Sequence, residues 1–231
     1  MKFKKSDDEN QWLHISDMMS GLMMVFLFIA ISYMIEVLNE KDKIKEIAVA
    51  YEKIQKNLYD ELYKEFEKDL IDWDAEIDST TLSVKFKSPE ILFKSGSDEV
   101  EPRFKEILKD FFPRYITILT NSKFKHEIEE IRIEGHTSSE WSEQVPEDIA
   151  YFNNMKLSQD RTRAVLEFVS SFDTINGNKL WLRELITANG LSSSKIININ
   201  GEEDKEKSRR VEFRVRTKAE EKIVKIVEES I

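Results

Sequence analysis

From Met18 to Ile35 the chain runs eighteen positions without a charged side chain, and acids bracket the run, Asp17 before it and Glu36 after it. As a helix such a run extends about 27 Å at ~1.5 Å per residue, close to the ~30 Å hydrocarbon thickness of a bilayer. No other stretch of this 231-residue chain, 35% of it charged, is comparably apolar. The pattern predicts one membrane anchor joined to one water-soluble part. Trp12, Leu13 and Ile15 lengthen the apolar segment, and "SYMIEVLNE" offers no small-residue cleavage site, so the segment reads as a retained anchor. Lys2, Lys4 and Lys5 before the span are balanced by Lys41, Lys43 and Lys45 after it. The positive-inside count therefore leaves the orientation open.

Asp17 is the position that asks for a reason. With Trp12 at the interface, Asp17 lies more than one helical turn inside, where a carboxylate is costly unless it faces protein or water. Ser20 and Gly21, three and four residues on, share its face and allow a second helix to come close. A carboxylate there can alternate between a neutral and a charged or ion-paired state, which is what a proton or sodium pathway needs. The competing reading makes Ser16 or Asp17 the N-cap of a helix that begins at the headgroups.

Composition narrows the remaining chemistry. The net charge of −10 is spread over both halves without a basic patch, which argues against nucleic-acid binding. With no cysteine there is no disulfide framework, thiolate metal site or cysteine nucleophile. Three scattered histidines (His14, His126, His136) and six glycines without a phosphate-loop pattern give neither a metal cluster nor a nucleotide cradle. No nucleophile, base and orienting group stand at a recognisable spacing, so no enzyme, cofactor or metal is expected.

From Glu36 to about Glu76 the chain has no Gly or Pro. Its apolar residues recur at Ile44, Ile47, Tyr51, Ile54 and Leu58, then at Leu62, Phe66 and Leu70. This predicts a long helical stalk with a heptad-like stripe that drifts at its end, suited to a parallel dimer. Beyond it, Leu82, Val84 and Phe86 alternate as a strand. Phe104 to Ile118 follow helical spacing after Pro102, with a kink expected at Pro113. Ile131 and Ile133 form a second strand, and Thr162, Val165, Leu166 and Val169 a second helix that Ser158 would cap. A short helix around Trp181 to Ile186, strands at "KIININ" and at Val211 to Val215, and a C-terminal amphipathic helix complete the expectation. Parallel strands crossed by helices, with an edge hairpin, would fit. The fold class is α+β: tail 1–14, transmembrane helix 15–38, stalk 39–78, α/β sandwich 79–217, helix 218–231.

Four pieces in order carry a family resemblance over roughly residues 80 to 216. "ILFKSGSDEVEPRFKEIL", "IRIEGHTSS", "NNMKLSQDRTRAV" and "SRRVEFRV" resemble the entry strand and helix, the GHTD strand end, the N-x-x-L-S-x-x-R helix entry and the closing strand of OmpA-like peptidoglycan-binding domains. "WLHISDMMSGLMMVFLFIAI" resembles the membrane anchor of MotB-type stator subunits, in which the aspartate carries the ion. Within that family the chain most resembles the ZorB-type subunits of the Zorya anti-phage defence system.

The resemblance implies a homodimer in the bacterial inner membrane, encircled by a pentamer of a ZorA- or MotA-like partner. The N-terminus would be cytoplasmic and the outer domain periplasmic. It assigns ion carriage to Asp17, and peptidoglycan binding to Thr137, Ser138, Asn153, Asn154, Leu157, Arg161 and Arg209. Arg161 would pair with a stem-peptide carboxylate, a bidentate contact that guanidinium suits. Ser138 stands where the family has an aspartate that grips the ligand's amine, and the glycine that follows is replaced by "EWSEQVPEDIAYF". Glu140 or Glu143 substitutes from a remodelled loop, or the ligand differs, or affinity is weak. Arg209 and Arg210 either line the groove or pair with acids on the sheet, and His136 packs at a strand end. A flagellar MotB-type subunit and a passive wall tether are the alternatives.

Overall fold

A single helix, α1 (Asp7–Phe66), carries the apolar run and continues past it for 60 residues in all, roughly 90 Å at ~1.5 Å per residue. The computed structural model describes residues 7–87, 89–94, 96–142 and 145–218. From Trp12 to Leu38 the α1 side chains are exposed on every side of the single chain. A helix apolar all round is stable in hydrocarbon or among other helices, and this one is long enough to cross a membrane. The Ser20 hydroxyl donates back to the Ser16 carbonyl at 2.8 Å, which satisfies it within the helix. Asp17 lies ten residues beyond the first residue of α1, so it is not an N-cap.

The far end of α1 departs from the stalk expectation. Leu58, Leu62 and Phe66 are fully buried, the Phe66 ring lying 5.1 Å from that of Phe111 on α3 (Pro102–Leu119). Arg114 of α3 fastens the contact, donating to the Glu65 carboxylate at 2.7 Å and the Glu65 carbonyl at 2.8 Å, pairing with Asp69 at 2.9 Å, and lying 4.8 Å over the Phe66 ring. The last turns of the expected stalk are thus part of the outer domain's core. The switch to steps of four along Leu58, Leu62 and Phe66 marks the face of a straight helix against α3 rather than a supercoil seam. The chain then turns through Asp74, at φ 46, into β1 (Ala75–Asp78), which the sequence reading had left in the helix.

The remaining elements are β2 (Ser83–Phe86), the one-turn α2 (Pro89–Leu92), β3 (Ile128–His136), α4 (Glu147–Ser170), a 3-10 turn, α5 (Lys179–Leu185) and β4 (Ile186–Gly190). The short pair β5 (Asn198–Ile199) and β6 (Glu202–Glu203), α6 (Lys205–Ser208) and β7 (Arg210–Thr217) follow. The main sheet has the order β1-β2-β7-β3-β4. Only β3 and β4 are parallel, so the sheet is mostly antiparallel rather than the parallel array expected. Val84, Phe86, Ile131, Ile133, Val211 and Phe213 bury one face beneath α3 and α4, with Phe213 among Phe111, Phe112 and Tyr115.

Two further local expectations are corrected. The strand beside β3 is "ITANG", not "KIININ", of which only Asn198 and Ile199 pair. Its Ala188 and Gly190 are small because α4 lies against them, so no apolar alternation advertises the strand. Helix α4 begins at Glu147, behind Pro146 and with Glu147 and Asp148 in its first turn, so Ser158 is mid-helix and caps nothing. Helix α3 continues through Pro113 to Leu119. From residue 219 on, the expected C-terminal helix lies outside the described residues.

Candidate functional site

Two glycines set the site. Gly135 and Gly190 are register partners on the parallel strands β3 and β4. A Cβ on Gly135 would stand 2.7 Å from Thr162 Cγ2 and 2.9 Å from the Ser158 carbonyl oxygen; on Gly190 it would stand 2.3 Å from the Gln159 backbone nitrogen. Without those carbons the α4 backbone rests directly on the strand ends. Polar contacts hold it there: Ser192 N–H donates to Ser158 Oγ at 3.1 Å, Ser192 Oγ to the Tyr151 carbonyl at 2.8 Å, and Thr137 N–H to the Ser192 carbonyl at 2.9 Å. Asn154, Leu157 and Arg161, at i, i+3 and i+7, then share one helix face beside the end of β3.

That face forms one wall of a groove of about 490 Å3, which Thr137, Ser138, Asn154, Leu157, Arg161 and Arg209 line. Six of the seven wall-binding residues proposed from sequence therefore converge. Asn153 is not among the lining residues, since one residue before Asn154 it points about 100° away around α4. The groove is lined as well by Phe93, Lys94 and Gly96 of the loop that follows α2, by Glu101, and by Glu140 and Trp141. Sequence reasoning gave these five side chains other than glycine no direct role except Glu140, although Phe93 and Lys94 sit within a stretch that carries the resemblance.

Arg161 is the most constrained cation. Its Nε donates to the Ser97 carbonyl at 2.8 Å, Nη2 to the Lys94 carbonyl at 3.4 Å, and its guanidinium lies 4.8 Å over the Phe93 ring. These contacts brace the loop and leave guanidinium N–H groups for a ligand. Burial, helped by the like charge of Arg209 and opposed by Asp98, lowers its pKa to about 10, so it stays charged at neutral pH. Buried Asn154 donates to the carbonyls of Ser138 and Glu140, both at 3.2 Å, and so shapes the segment that departs from the family motif. Among the described residues the buried Thr137 hydroxyl has no hydrogen-bond partner. Ser138 is buried too, and the Glu140 carboxylate pairs with Lys205 at 3.0 Å. Glu143 lies outside the described residues.

The two arginines of "SRRVEF" divide the roles left open between them. Arg209 is exposed and lines the groove, whereas Arg210 is buried and donates to Glu212 at 2.6 Å. On the sheet face away from α4, Glu134, His136 and Glu212 bring a potential ligand atom each within 4.8 Å of one another. His136 Nε2 stands 3.5 Å from Glu212 and 3.7 Å from Glu134. Burial works to raise the Glu134 carboxyl, but His136, Arg214 and Arg132 outweigh it and hold it below the usual carboxylate range. Both carboxylates already face guanidinium groups, which supply the positive charge a metal ion would bring. The cluster is a charge network beneath the strand ends, with His136 at the end of β3 as expected.

Asp17 lies far from the groove. It precedes Leu58, where α1 enters the core, by forty-one residues, roughly 60 Å of helix.

No protein-family model matches the chain. Among solved structures, a MotB-like protein from Desulfovibrio vulgaris matches 72% of this chain and 96% of its own, with a TM-score of 0.50 and 19% identity, a likeness of fold. The mixed sheet domain thus shares its fold with that MotB-like protein, and in this chain it follows a long N-terminal helix with a stretch long and apolar enough to cross a membrane. Across 227 residues, 98% of this chain and 96% of the relative, the sequence is 53% identical to Zorya protein ZorB of Escherichia coli. The chain belongs to the ZorB family.

Proposed function

We propose that this chain is the wall-anchored stator subunit of a proton-driven motor in the inner membrane, acting in anti-phage defence. Two copies stand in parallel through α1, encircled by five copies of a ZorA- or MotA-like partner. The N-terminus is cytoplasmic, and the outer domain grips peptidoglycan through its groove, with Arg161 on a stem-peptide carboxylate. One observation carries the reading: a lone acid, Asp17, lies inside a membrane-length helix that continues without a break into the core of the outer domain. One elementary charge moved through 100 mV is worth ~2.3 kcal/mol, so a carboxylate that loads and releases an ion can couple the membrane potential to movement of the helices around it. The domain holding the wall supplies the fixed point against which that movement works.

The test is phage plaquing on cells carrying the parent system, Asp17→Asn or Asp17→Glu at matched membrane abundance. Asparagine keeps the shape but cannot cycle its charge, so protection is lost, whereas glutamate retains part of it. Full protection with asparagine would overturn the motor reading in favour of a passive tether.

A further inference from the structure

The groove carries charge of both signs, and its acids are not equivalent. At the GHT-x position, where a short acid would face an ammonium, stands buried, uncharged Ser138. Glu140, nearest along the chain, is held by Lys205 at 3.0 Å. Glu101 also lines the groove. Among the described residues its carboxylate makes no hydrogen bond or ion pair.

Its position is fixed by the element that also fixes Arg161. Phe93 and Val100 bridge, Glu101 N–H donates to the Leu92 carbonyl at 3.0 Å, and Lys94 N–H donates to the Glu99 carbonyl at 3.2 Å. The loop closed in this way offers the Ser97 and Lys94 carbonyls to the Arg161 guanidinium. The acid and the arginine are therefore tied to the two ends of one hairpin, facing the same cavity. Thr137 lines that cavity too, and among the described residues its buried hydroxyl has no hydrogen-bond partner. The arrangement suits a ligand that presents a carboxylate and an ammonium together, the end of a peptide bearing a diamino acid.

We propose that Glu101 is the ammonium-binding residue of the groove, taking over the part that Ser138 cannot play. The inference rests on the wall-binding reading and narrows its ligand to stem peptides with a free amine.

The experiment uses the full chain in detergent micelles, with purified sacculi and the same sacculi after N-acetylation, which removes ammonium groups and keeps carboxylates. The parent should bind acetylated sacculi about tenfold more weakly, the scale of a lost charge-assisted hydrogen bond. Glu101→Gln should bind untreated sacculi about tenfold more weakly and show no further response to acetylation, while Glu140→Gln should follow the parent. A Glu101→Gln chain that keeps the parent's sensitivity to acetylation, or a Glu140→Gln chain that loses it, overturns the assignment. Parent binding no tighter than that of Arg161→Ala would instead sink the wall-binding reading, and the Glu101 role with it. A purely structural role for Glu101 in starting α3 would leave the response to acetylation intact.

Discussion

Replacing Gly190 with alanine adds one methyl group, and the geometry says where it goes. The new carbon would sit 2.3 Å from the Gln159 backbone nitrogen and 2.7 Å from Gln159 Cα, against the ~3.5 Å or more that non-bonded atoms prefer. Gly190 is not among the residues with positive φ, so alanine suits the backbone and the penalty is steric. The obstacle is helix backbone, which cannot rotate away as a side chain can. Helix α4 must therefore retreat by about 1 Å, which strains the Ser192 to Ser158 hydrogen bond and lifts Asn154, Leu157 and Arg161 off the groove. Overpacking costs ~1–3 kcal/mol and a weakened buried hydrogen bond ~1 kcal/mol, together about 2–4 kcal/mol. At about 2–4 °C per kcal/mol for a protein of this size, the thermal midpoint should fall by roughly 5–15 °C. Tryptophan fluorescence melts of the full chain read this directly, and sacculus retention read alongside should fall as well. Gly177→Ala is the control, since nothing lies within 4 Å of its new carbon. If Gly190→Ala melted within a degree of the parent and bound sacculi equally well, the claim that two glycines seat α4 on the sheet would be wrong.

Burial works to raise the Asp78 carboxyl, but Lys85 at 2.6 Å and the Thr81 and Thr80 amides outweigh it and hold it at about 2. That stability is present above the unfolded value near 3.8 and is lost as pH falls toward 2. Asp78→Asn should thus flatten the fall of the urea midpoint between pH 4 and pH 2, and an unchanged slope would count against the pairing. Leu62→Ala, at a fully buried position, should cost about 2–5 kcal/mol in a urea melt, whereas a change of under 1 kcal/mol would place this turn of α1 outside the core. Single cysteines at Ile44 or Ile47 should crosslink between copies on membrane oxidation, while Leu62→Cys should not; equal crosslinking at all three would refute the division of the stripe between partner and core.

The membrane run and the shared helix face of Asn154, Leu157 and Arg161 were legible because each rests on local chemistry, whereas the convergence of Arg161 with Thr137 followed only from the family resemblance. Eighteen uncharged residues have few soluble uses, and positions at i, i+3 and i+7 on a helix share a face wherever the helix lies. What stayed hidden depends on the neighbours. The strand Ile186–Gly190 shows no alternation because the helix above it requires small side chains. The turn at Asp74 has no glycine or proline to announce it, and the end of α1 looked like stalk because burial against α3 and burial against a second copy call for the same apolar residues. Glu101 is hidden for a related reason: an acid before a proline reads as the start of a helix, and only the folded chain brings it to the groove that Arg161 lines.

An unbroken α1 also fixes an angle. Because one helix joins Asp17 to Leu58, the direction in which the acid faces is phased to the outer domain at about 100° per residue, as two keyways cut on one shaft are phased. Adding a residue between 39 and 57 turns the acid about 100° relative to the wall anchor while barely changing the reach. Adding seven turns it by only about 20°, one heptad's mismatch with two full turns. The number of residues between Asp17 and the sheet domain therefore sets the angle between them, and whole turns of helix leave that angle nearly unchanged.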